Sequence, residues 1–258
     1  MLLEARNVSK IFRAGRRTRA VHAVRDATLR ARPGEFVAIV GESGSGKSTL
    51  ARILLGLIPP SSGSVELDGV PIAAMTKKER VAYRRRVQAV LQDPAGSLNP
   101  RKRVERTIGE VIRLHRVAAT RAQAREKIRE ALHLVGMNPA EEFLDRFPHE
   151  LSGGQRQRVL IARAIALNPR IIVADEAVSA LDASVKAGVL RVMADLKDRL
   201  GVGYVFITHD LPVVRKVADH VYVMRSGEIV EEGPKEAIFA EPSHPYTRTL
   251  LAAAPVLR

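Results

Sequence analysis

The sequence predicts an α/β fold: a core built on a parallel sheet, an N-terminal subdomain of antiparallel strands and an inserted α-helical subdomain. Three observations predict it. Apolar strand patterns alternate with helical ones in "EFVAIV" (35–40), "IIVADE" (171–176) and "YVFITH" (204–209). Short strand patterns surround the turn "LDGV" (67–70) within "SGSVELDGVPI", which predicts antiparallel pairing. A helical pattern that begins at Thr120 separates the two groups of core strands.

We predict one domain, residues 1–258. Its core covers about 1–91 and 159–232, its helical subdomain about 92–158 and its C-terminal tail about 233–258. Because 46% of the 258 residues are hydrophobic, the chain can bury a core of this size, and disorder is not expected.

The first core unit is a strand followed by a glycine-rich loop and a helix. The loop "GESGSGKST" (41–49) comes directly after the strand "EFVAIV". Beyond it, apolar residues recur at helical spacing until two prolines stop the helix: Leu50, Ile53, Leu54 and Leu57, then Pro59 and Pro60. This order of elements predicts a phosphate-binding unit.

The sequence predicts where the helix of the inserted segment begins and ends. Thr120 and Gln123 have the spacing of a capping box, and Gly136 predicts the helix end. One face between them is apolar: Ala124, Ile128, Ala131, Leu132 and Val135.

After this segment the core pattern returns. The helix between the two later core strands has an apolar face made of Val189, Val192, Met193, Leu196 and Leu200. "VYVMRSGEIVEEG" (221–233) predicts a hairpin that turns at "RSGE". "EPSHPYTRTLLAAAPVLR" (241–258) predicts a short tail helix bounded by prolines.

The glycine-rich loop carries the first chemistry. Its glycines let the backbone wrap a phosphate chain, Lys47 reaches the β and γ phosphates, and the Ser48 hydroxyl can bind magnesium. The alternative, a glycine-rich turn with a chance Lys-Ser pair, is disfavoured by the strand before it and the helix after it. We therefore predict that the whole loop binds the nucleotide: Gly41, Glu42, Ser43, Gly44, Ser45, Gly46, Lys47, Ser48 and Thr49.

Two acidic residues and a histidine end the later core strands. Asp175 can join the magnesium shell, whereas Glu176, one residue further on, is placed to polarise an attacking water. His209 follows the next strand, where it could contact a γ-phosphate. The alternatives are an acidic helix N-cap and a structural histidine.

A second glycine pair opens a helix more than a hundred residues after the first loop. In "LSGGQ" (151–155), Ser152 and Gln155 form a predicted capping box, so Gly153 and Gly154 expose the first amides of the helix and make an anion site. We call the loop 41–49 and the helix start at 151–155 the two phosphate cradles. One triphosphate cannot easily bind both cradles of the same chain. In two chains arranged head to tail, it can bind the first cradle of one chain and the second cradle of the other.

Composition limits the other functions. A net charge of +14 suits a nucleic-acid partner or an anionic membrane surface. The arginines are scattered, however, and aromatic residues make up only 4%, so we expect no nucleic-acid partner. The lack of cysteine excludes disulfides, zinc-finger and iron–sulfur ligation and thiol catalysis. Without a long apolar run, we expect a soluble chain that is not exported.

These motifs resemble the nucleotide-binding subunits of ABC transporters over nearly the whole chain. They stand in the family's order: Walker A 41–49, Q-loop Gln92, signature 151–155, Walker B 171–176, D-loop 179–182 and switch His209. The resemblance implies a P-loop NTPase (RecA-like) core that uses ATP and Mg²⁺. It also implies that Phe12 stacks on adenine, although a core role is the alternative. It further implies that Gln92 acts in catalysis and magnesium binding and that Asp182 contacts the nucleotide site.

The resemblance further implies an ATP-gated clamp in which two subunits sandwich two ATP molecules. Each ATP is held by the first loop of one chain and by Ser152, Gly153 and Gly154 of the other. The implied partners are a second, different ATP-binding subunit, two integral membrane permeases and an extracytoplasmic substrate-binding protein, with the chain peripheral on the cytoplasmic face of the membrane. Gln92 and "DPAGSLNPRKRV" (93–104) are expected to contact the permeases; a polar linker is the alternative.

Three rival classes fit less well. A DNA-repair ABC ATPase usually carries long coiled-coil or zinc insertions, a translation-type ABC protein repeats the cassette, and a P-loop kinase has no use for "LSGGQ". "HPYTRTLLAAAP" (244–255) and "DPAGSLNPR" (93–101) resemble the peptide and nickel importer branch. "DEAVSALD" (175–182), with Ala177 and Val178 where this branch commonly has Pro-Thr, and "KAGVL" (186–190) resemble the nickel-importing subunit most. We therefore expect nickel uptake first and peptide uptake second, with no metal cargo touching this chain.

Overall fold

The computed structural model describes residues 1–13, 20–91 and 94–253, with no side-chain detail at 94 and 95. Within these ranges the strands β1 to β10 are Leu3–Phe12, Val21–Ala31, Phe36–Val40, Ser62–Leu67, Val70–Pro71, Val87–Val90, Ile171–Asp175, Gly203–Ile207, His220–Arg225 and Glu228–Pro234. The helices α1 to α11 are Lys47–Leu54, Lys77–Arg86, Pro94–Ser97, Val104–Leu114, Arg121–Leu134, Glu141–Leu144, Gly153–Ile165, Ala183–Leu200, Leu211–Val217, Lys235–Ala240 and Pro245–Ala252.

Two sheets organise the strands. The larger has the order β10-β9-β3-β8-β7-β6, in which β9, β3, β8, β7 and β6 run parallel and β10 pairs antiparallel with β9. The smaller has the order β2-β1-β4-β5, and all its pairs are antiparallel. The predicted α/β class, with a parallel core and an N-terminal antiparallel subdomain, is confirmed.

The core strands β3, β7 and β8 are buried along their whole length, which explains their continuous apolar sequences. Because successive side chains of a strand point to opposite faces, each strand contributes side chains to two hydrophobic cores. On one face, Val173 and Val205 pack in the cluster that holds Leu50 of α1. On the other, Ile172 and Phe206 pack in the cluster that holds α7 and α8. The sheet therefore lies between α1 and α7.

The helical segment packs against α7 through α4 and α5. Its predicted start is confirmed, because Thr120 and Gln123 form a capping box at the N-terminus of α5. Four of the five predicted face residues are buried, and Ala124 is half-buried. Gly136, at a φ of 71°, ends the segment as expected. Helix α4 was not predicted, although Val104, Ile108 and Ile112 recur at helical spacing and are buried. The predicted subdomain boundaries at 92 and 159 stay a prediction.

Two predicted core residues are in fact exposed. Leu57 is 59% exposed because α1 ends at Leu54 and the chain reverses at Gly56, whose φ is 64°. Leu200 is 43% exposed because it is the last residue of α8, directly before Gly201. The hairpin turn at 225–228 and the start of the tail helix at Pro245 are confirmed. Pro255, its expected far boundary, lies outside the described residues. No helix in the described ranges is long and apolar enough to cross a membrane.

Candidate functional site

The loop between β3 and α1 can be built only with glycine at two positions. At Gly41, with a φ of 150°, an added Cβ would lie 2.0 Å from the Met224 carbonyl oxygen. At Gly46, with a φ of 103°, it would lie 2.1 Å from the Ala23 carbonyl oxygen. Since backbone atoms of neighbouring strands cannot give way, these glycines let the loop close against β9 and β2. The loop thus leads into the N-terminus of α1, where backbone N–H groups and the helix dipole favour an anion.

Lys47, the first residue of α1, is buried at the centre of this loop. Its ammonium donates hydrogen bonds to the carbonyl oxygens of Gly41 and Glu42 at 2.8 and 2.7 Å. Burial lowers the pKa of Lys47, while the carboxylates of Glu176 and Asp175 act in the opposite direction. The predicted phosphate-binding cation therefore lies where the loop and both predicted acids converge.

Ser48 and Asp175 meet across the gap between α1 and β7. The Ser48 hydroxyl donates to Oδ1 of Asp175 at 3.1 Å. Asp175 is 8% exposed, and burial raises the pKa of its carboxyl. Magnesium is usually held by one or two protein oxygens together with substrate phosphates, and this pair fits that donor set. Among the described residues no group of three or more His, Cys, Asp or Glu side chains could hold a metal ion by itself.

Glu176 and His209 lie beside this pair, because β7 and β8 are neighbours and both residues follow a strand end. His209 Nδ1 is 3.4 Å from Glu176 Oε1, and the two side chains are 61% and 21% exposed. The backbone at Glu176 turns sharply, with a φ of 48°. The Glu176 N–H donates to the Ile207 carbonyl at 2.9 Å, and the Ser179 hydroxyl donates to the Glu176 carbonyl at 2.9 Å. The Glu176 carboxylate therefore lies beside His209, whereas the Asp175 carboxylate lies against Ser48.

The second predicted cradle forms the N-terminus of α7. Gln155 N–H donates to the Ser152 hydroxyl at 3.2 Å, and Ser152 N–H donates to the Gln155 side-chain oxygen at 2.9 Å, so the capping box is confirmed. Gly154 lies directly against α8, since an added Cβ would be 2.4 Å from Cγ1 of Val185. Asp182 is exposed and occupies the N-cap position of α8. The anion-binding end of α7 is therefore held against the start of α8.

The two cradles lie on helices that pack against opposite faces of the large sheet. The sheet therefore lies between the axes of α1 and α7. The structure agrees with the expectation that one phosphate chain does not use both cradles of one chain.

Phe12 lies at the open end of the β1–β2 pair, opposite Val21. It is 43% exposed, and the Lys10 ammonium is 5.4 Å from its ring centroid. Two residues after Val21, Ala23 contacts the phosphate loop at Gly46. Phe12 is thus an exposed ring opposite the strand that contacts the loop, and not a core residue. Its predicted contact with adenine stays a prediction.

The remaining predicted site residues have varied positions. Glu42 and Ser43 are exposed on the loop, Ser45 is buried, and Thr49 is half-buried on α1. Gln92 lies outside the described residues.

The sequence did not reveal Tyr246, whose hydroxyl oxygen accepts a hydrogen bond from the Glu42 N–H at 3.1 Å. The two residues are 204 positions apart, and no local pattern links them.

Comparison with known proteins agrees with this geometry. A family model described as "ABC transporter" matches residues 24–179, and one described as "Oligopeptide/dipeptide transporter, C-terminal region" matches residues 230–258. The chain belongs to the ABC transporter family. A solved structure of the ATP-binding cassette MJ0796, a dimer in a post-hydrolysis state with ADP and Pi, has a TM-score of 0.79 and 31% identity. The match covers 90% of this chain and 98% of that one, which confirms the P-loop NTPase fold.

Two curated relatives indicate the branch. The probable peptide ABC transporter ATP-binding protein y4tS of Sinorhizobium fredii is 50% identical over 92% of this chain. The glutathione import ATP-binding protein GsiA of Salmonella paratyphi A is 46% identical over 93% of this chain. The matches span 66% of y4tS and 38% of GsiA. Both names refer to peptides or glutathione rather than nickel. The nickel assignment made from the sequence is therefore not supported, and its peptide alternative fits better.

Proposed function

We propose that this chain is an ATP-hydrolysing subunit of an ABC importer that takes up short peptides. One observation carries the proposal: Lys47, Ser48, Asp175, Glu176 and His209 converge at the carboxyl ends of β3, β7 and β8. In open α/β sheets this edge is where ligands bind.

Each of these groups has a distinct task in the proposed reaction. Lys47 neutralises charge on the β and γ phosphates, and the loop amides hold the phosphate chain. Ser48 and Asp175, with Gln92, would hold Mg²⁺, which supplies charge neutralisation between the phosphates when bound. Glu176 accepts a hydrogen bond from the attacking water and aligns it with the γ-phosphate. His209, 3.4 Å from Glu176, adds a hydrogen-bonding group at the γ-phosphate.

We also propose that the working unit contains two such subunits arranged head to tail. The placement of α1 and α7 on opposite faces of the sheet supports this, because the sheet lies between the helix that Ser152, Gly153 and Gly154 begin and the helix that follows the phosphate loop. The dimeric description of the MJ0796 cassette with ADP and Pi gives independent support. Asp182 would lie at the same interface, since α8 begins beside α7.

The proposed assembly has further members. A different, paired ATP-binding subunit, two integral membrane permeases and an extracytoplasmic substrate-binding protein would complete it, with this chain peripheral on the cytoplasmic face of the membrane. Gln92 and residues 93–104 would contact the permeases. No nucleic-acid partner is part of the proposal.

Peptide cargo is favoured over nickel by the match of residues 230–258 to an oligopeptide/dipeptide transporter region. The names of y4tS and GsiA point the same way, and glutathione is itself a small peptide. Cargo contacts would lie in other subunits, so this chain would supply only the energy.

Replacement of Glu176 by glutamine tests the activity. Glu176→Gln should reduce ATP turnover at least about 100-fold, because it removes the proposed water-polarising carboxylate, and should leave ATP binding intact. Lys47→Ala should instead weaken ATP binding. Glu228→Gln, which removes an exposed carboxylate paired with Arg25 at 3.8 Å, is the matched control. Appreciable turnover in purified Glu176→Gln would refute the role of Glu176.

Deletion of the gene tests the cargo. We expect loss of growth on dipeptides with nickel accumulation unchanged, restored by the wild-type chain and not by the Glu176→Gln variant. Loss of nickel accumulation alone would return the assignment to nickel, and loss of neither would refute both.

A further inference from the structure

The tail helix α11 is tied to the body of the molecule at its first turn. The Glu231 carboxylate, on β10, accepts hydrogen bonds from the N–H and hydroxyl of Ser243, both at 2.7 Å, and from the His244 N–H at 3.1 Å. The His244 imidazole Nδ1 in turn accepts from the Tyr246 N–H at 3.1 Å and caps the helix. The start of α11 therefore has a fixed position relative to β10.

This anchorage places Tyr246 against the phosphate loop. Its side chain is 6% exposed, and the Arg225 guanidinium lies 4.9 Å from its ring centroid. The phenol oxygen accepts a hydrogen bond from the Glu42 N–H at 3.1 Å. A ring held by a cation on one side and by its helix on the other presents its hydroxyl in one direction.

The peptide group between Gly41 and Glu42 is held from both ends. Its N–H donates to Tyr246, and its carbonyl oxygen accepts from the Lys47 ammonium at 2.8 Å. A trans peptide is planar, with its N–H and C=O pointing in opposite directions, so neither end can rotate without the other. The Tyr246 hydroxyl is thus connected to the Lys47 ammonium through one rigid unit.

We propose that Tyr246 is a positioning residue for the phosphate loop: the tail helix fixes the Gly41–Glu42 peptide and, through it, the loop conformation and the reach of Lys47. Tyr246 does not touch the nucleotide. This inference rests on the proposed binding of ATP at the same loop. It assigns the C-terminal tail a role in nucleotide affinity.

The effect is one of preorganisation. Without the hydroxyl, the peptide can rotate in the ligand-free loop, and binding must then restore its orientation. The net worth of one hydrogen bond sets the upper limit, so Tyr246→Phe should raise KM for ATP by about two- to tenfold with kcat unchanged. Ser243→Ala, which loosens the anchor by one of its three bonds to Glu231, should give a smaller rise.

Tyr222→Phe is the matched control. The Tyr222 hydroxyl also accepts a backbone N–H bond at 3.1 Å, from Arg30, and its side chain is 5% exposed, but its partner is in β2 away from the loop. Both variants lose one hydroxyl and keep the ring, so both should lower the melting temperature slightly. Only Tyr246→Phe should weaken ATP binding.

The experiment measures the melting temperature, the Kd for ATP and the KM and kcat of hydrolysis for the wild type, Tyr246→Phe and Tyr222→Phe in the assembly in which the wild type is active. Weaker ATP binding and higher KM in Tyr246→Phe alone support the inference. Equal KM in both variants, or a fall in kcat with KM unchanged, overturns it. A wild-type chain that binds no ATP refutes the proposed function instead, so the two failures are distinct.

Discussion

Replacing Ser152 by arginine tests the second phosphate cradle of this chain without changing the first. The substitution places a long cation at the N-terminus of α7 and leaves untouched the phosphate loop, whose helix α1 packs on the opposite face of the sheet. If a second subunit's nucleotide completes its site on α7, the arginine obstructs only that nucleotide. Hydrolysis by the assembled subunits should be blocked, while the isolated variant should bind ATP like the wild type.

The cost to folding can be worked out from the capping box. Losing the Ser152 hydroxyl, which accepts from Gln155 N–H at 3.2 Å, costs about 1 kcal/mol. A cation at the positive end of a helix dipole costs about 0.3–1 kcal/mol more. The total of about 1.3–2 kcal/mol should lower the melting temperature by about 3–8 °C for a chain of this size. The variant should therefore remain folded at assay temperature.

Ser152→Ala is the control for the lost cap. It should show most of the loss of stability, at about 1 kcal/mol, and a much smaller loss of hydrolysis, because its side chain adds no bulk. The assays are thermal denaturation, equilibrium ATP binding to the isolated chain and steady-state hydrolysis. A folded Ser152→Arg chain that no longer binds ATP would show that both cradles serve one site, and the head-to-tail proposal would be wrong.

Two further predictions concern the loop and its acid. Burial raises the pKa of Asp175, so this carboxyl stabilises the fold fully below its unfolded pKa of about 3.9 and loses that contribution as pH rises through the folded value. Asp175→Asn should therefore gain thermal stability relative to the wild type, without ligand, as pH rises from 4 to 8, and a relative loss over this range would contradict the reasoning. Gly41→Ala, whose Cβ would meet a carbonyl oxygen at 2.0 Å, should lower the melting temperature by more than Gly34→Ala, whose Cβ would meet nothing within 4 Å. Equal losses in the two alanine variants would show that the close contact at Gly41 is unimportant.

Features that depend on neighbouring residues were predictable from the sequence. The strands β3, β7 and β8 are apolar throughout because both their faces are covered, and that pattern is visible without a structure. The capping boxes at Thr120 and Ser152 need only a three-residue spacing, and both form. The meeting of Asp175 with Ser48 followed from the edge of the sheet on which strand ends converge.

Features that depend on the direction of a turn or on distant residues were not predictable. Leu57 continues the apolar pattern of α1, but the turn at Gly56 places it in solvent, and periodicity does not reveal where a turn directs the chain. The exposure of Phe12 depends on the end of the β1–β2 pair, which the sequence did not locate. The contact of Tyr246 with Glu42 joins residues 204 positions apart, and only the packing of α11 creates it.

The start of α8 gives the two cradles a physical connection despite the sheet between them. Glu176 begins the turn that leads to α8, and Ser179 fixes that turn through two hydrogen bonds to the Glu176 carbonyl, at 2.9 Å from its hydroxyl and 3.2 Å from its N–H. A few residues later Val185 packs against Gly154, directly after the Ser152 cap. A displacement at the N-terminus of α7 would therefore press on the segment that orients Glu176. ATP affinity and turnover must therefore be measured separately in Ser152→Arg and Ser152→Ala. Displacement of Glu176 through loss of the Ser152 cap would lower turnover in both variants. Obstruction of a neighbouring subunit's nucleotide should lower turnover in Ser152→Arg and leave it largely intact in Ser152→Ala.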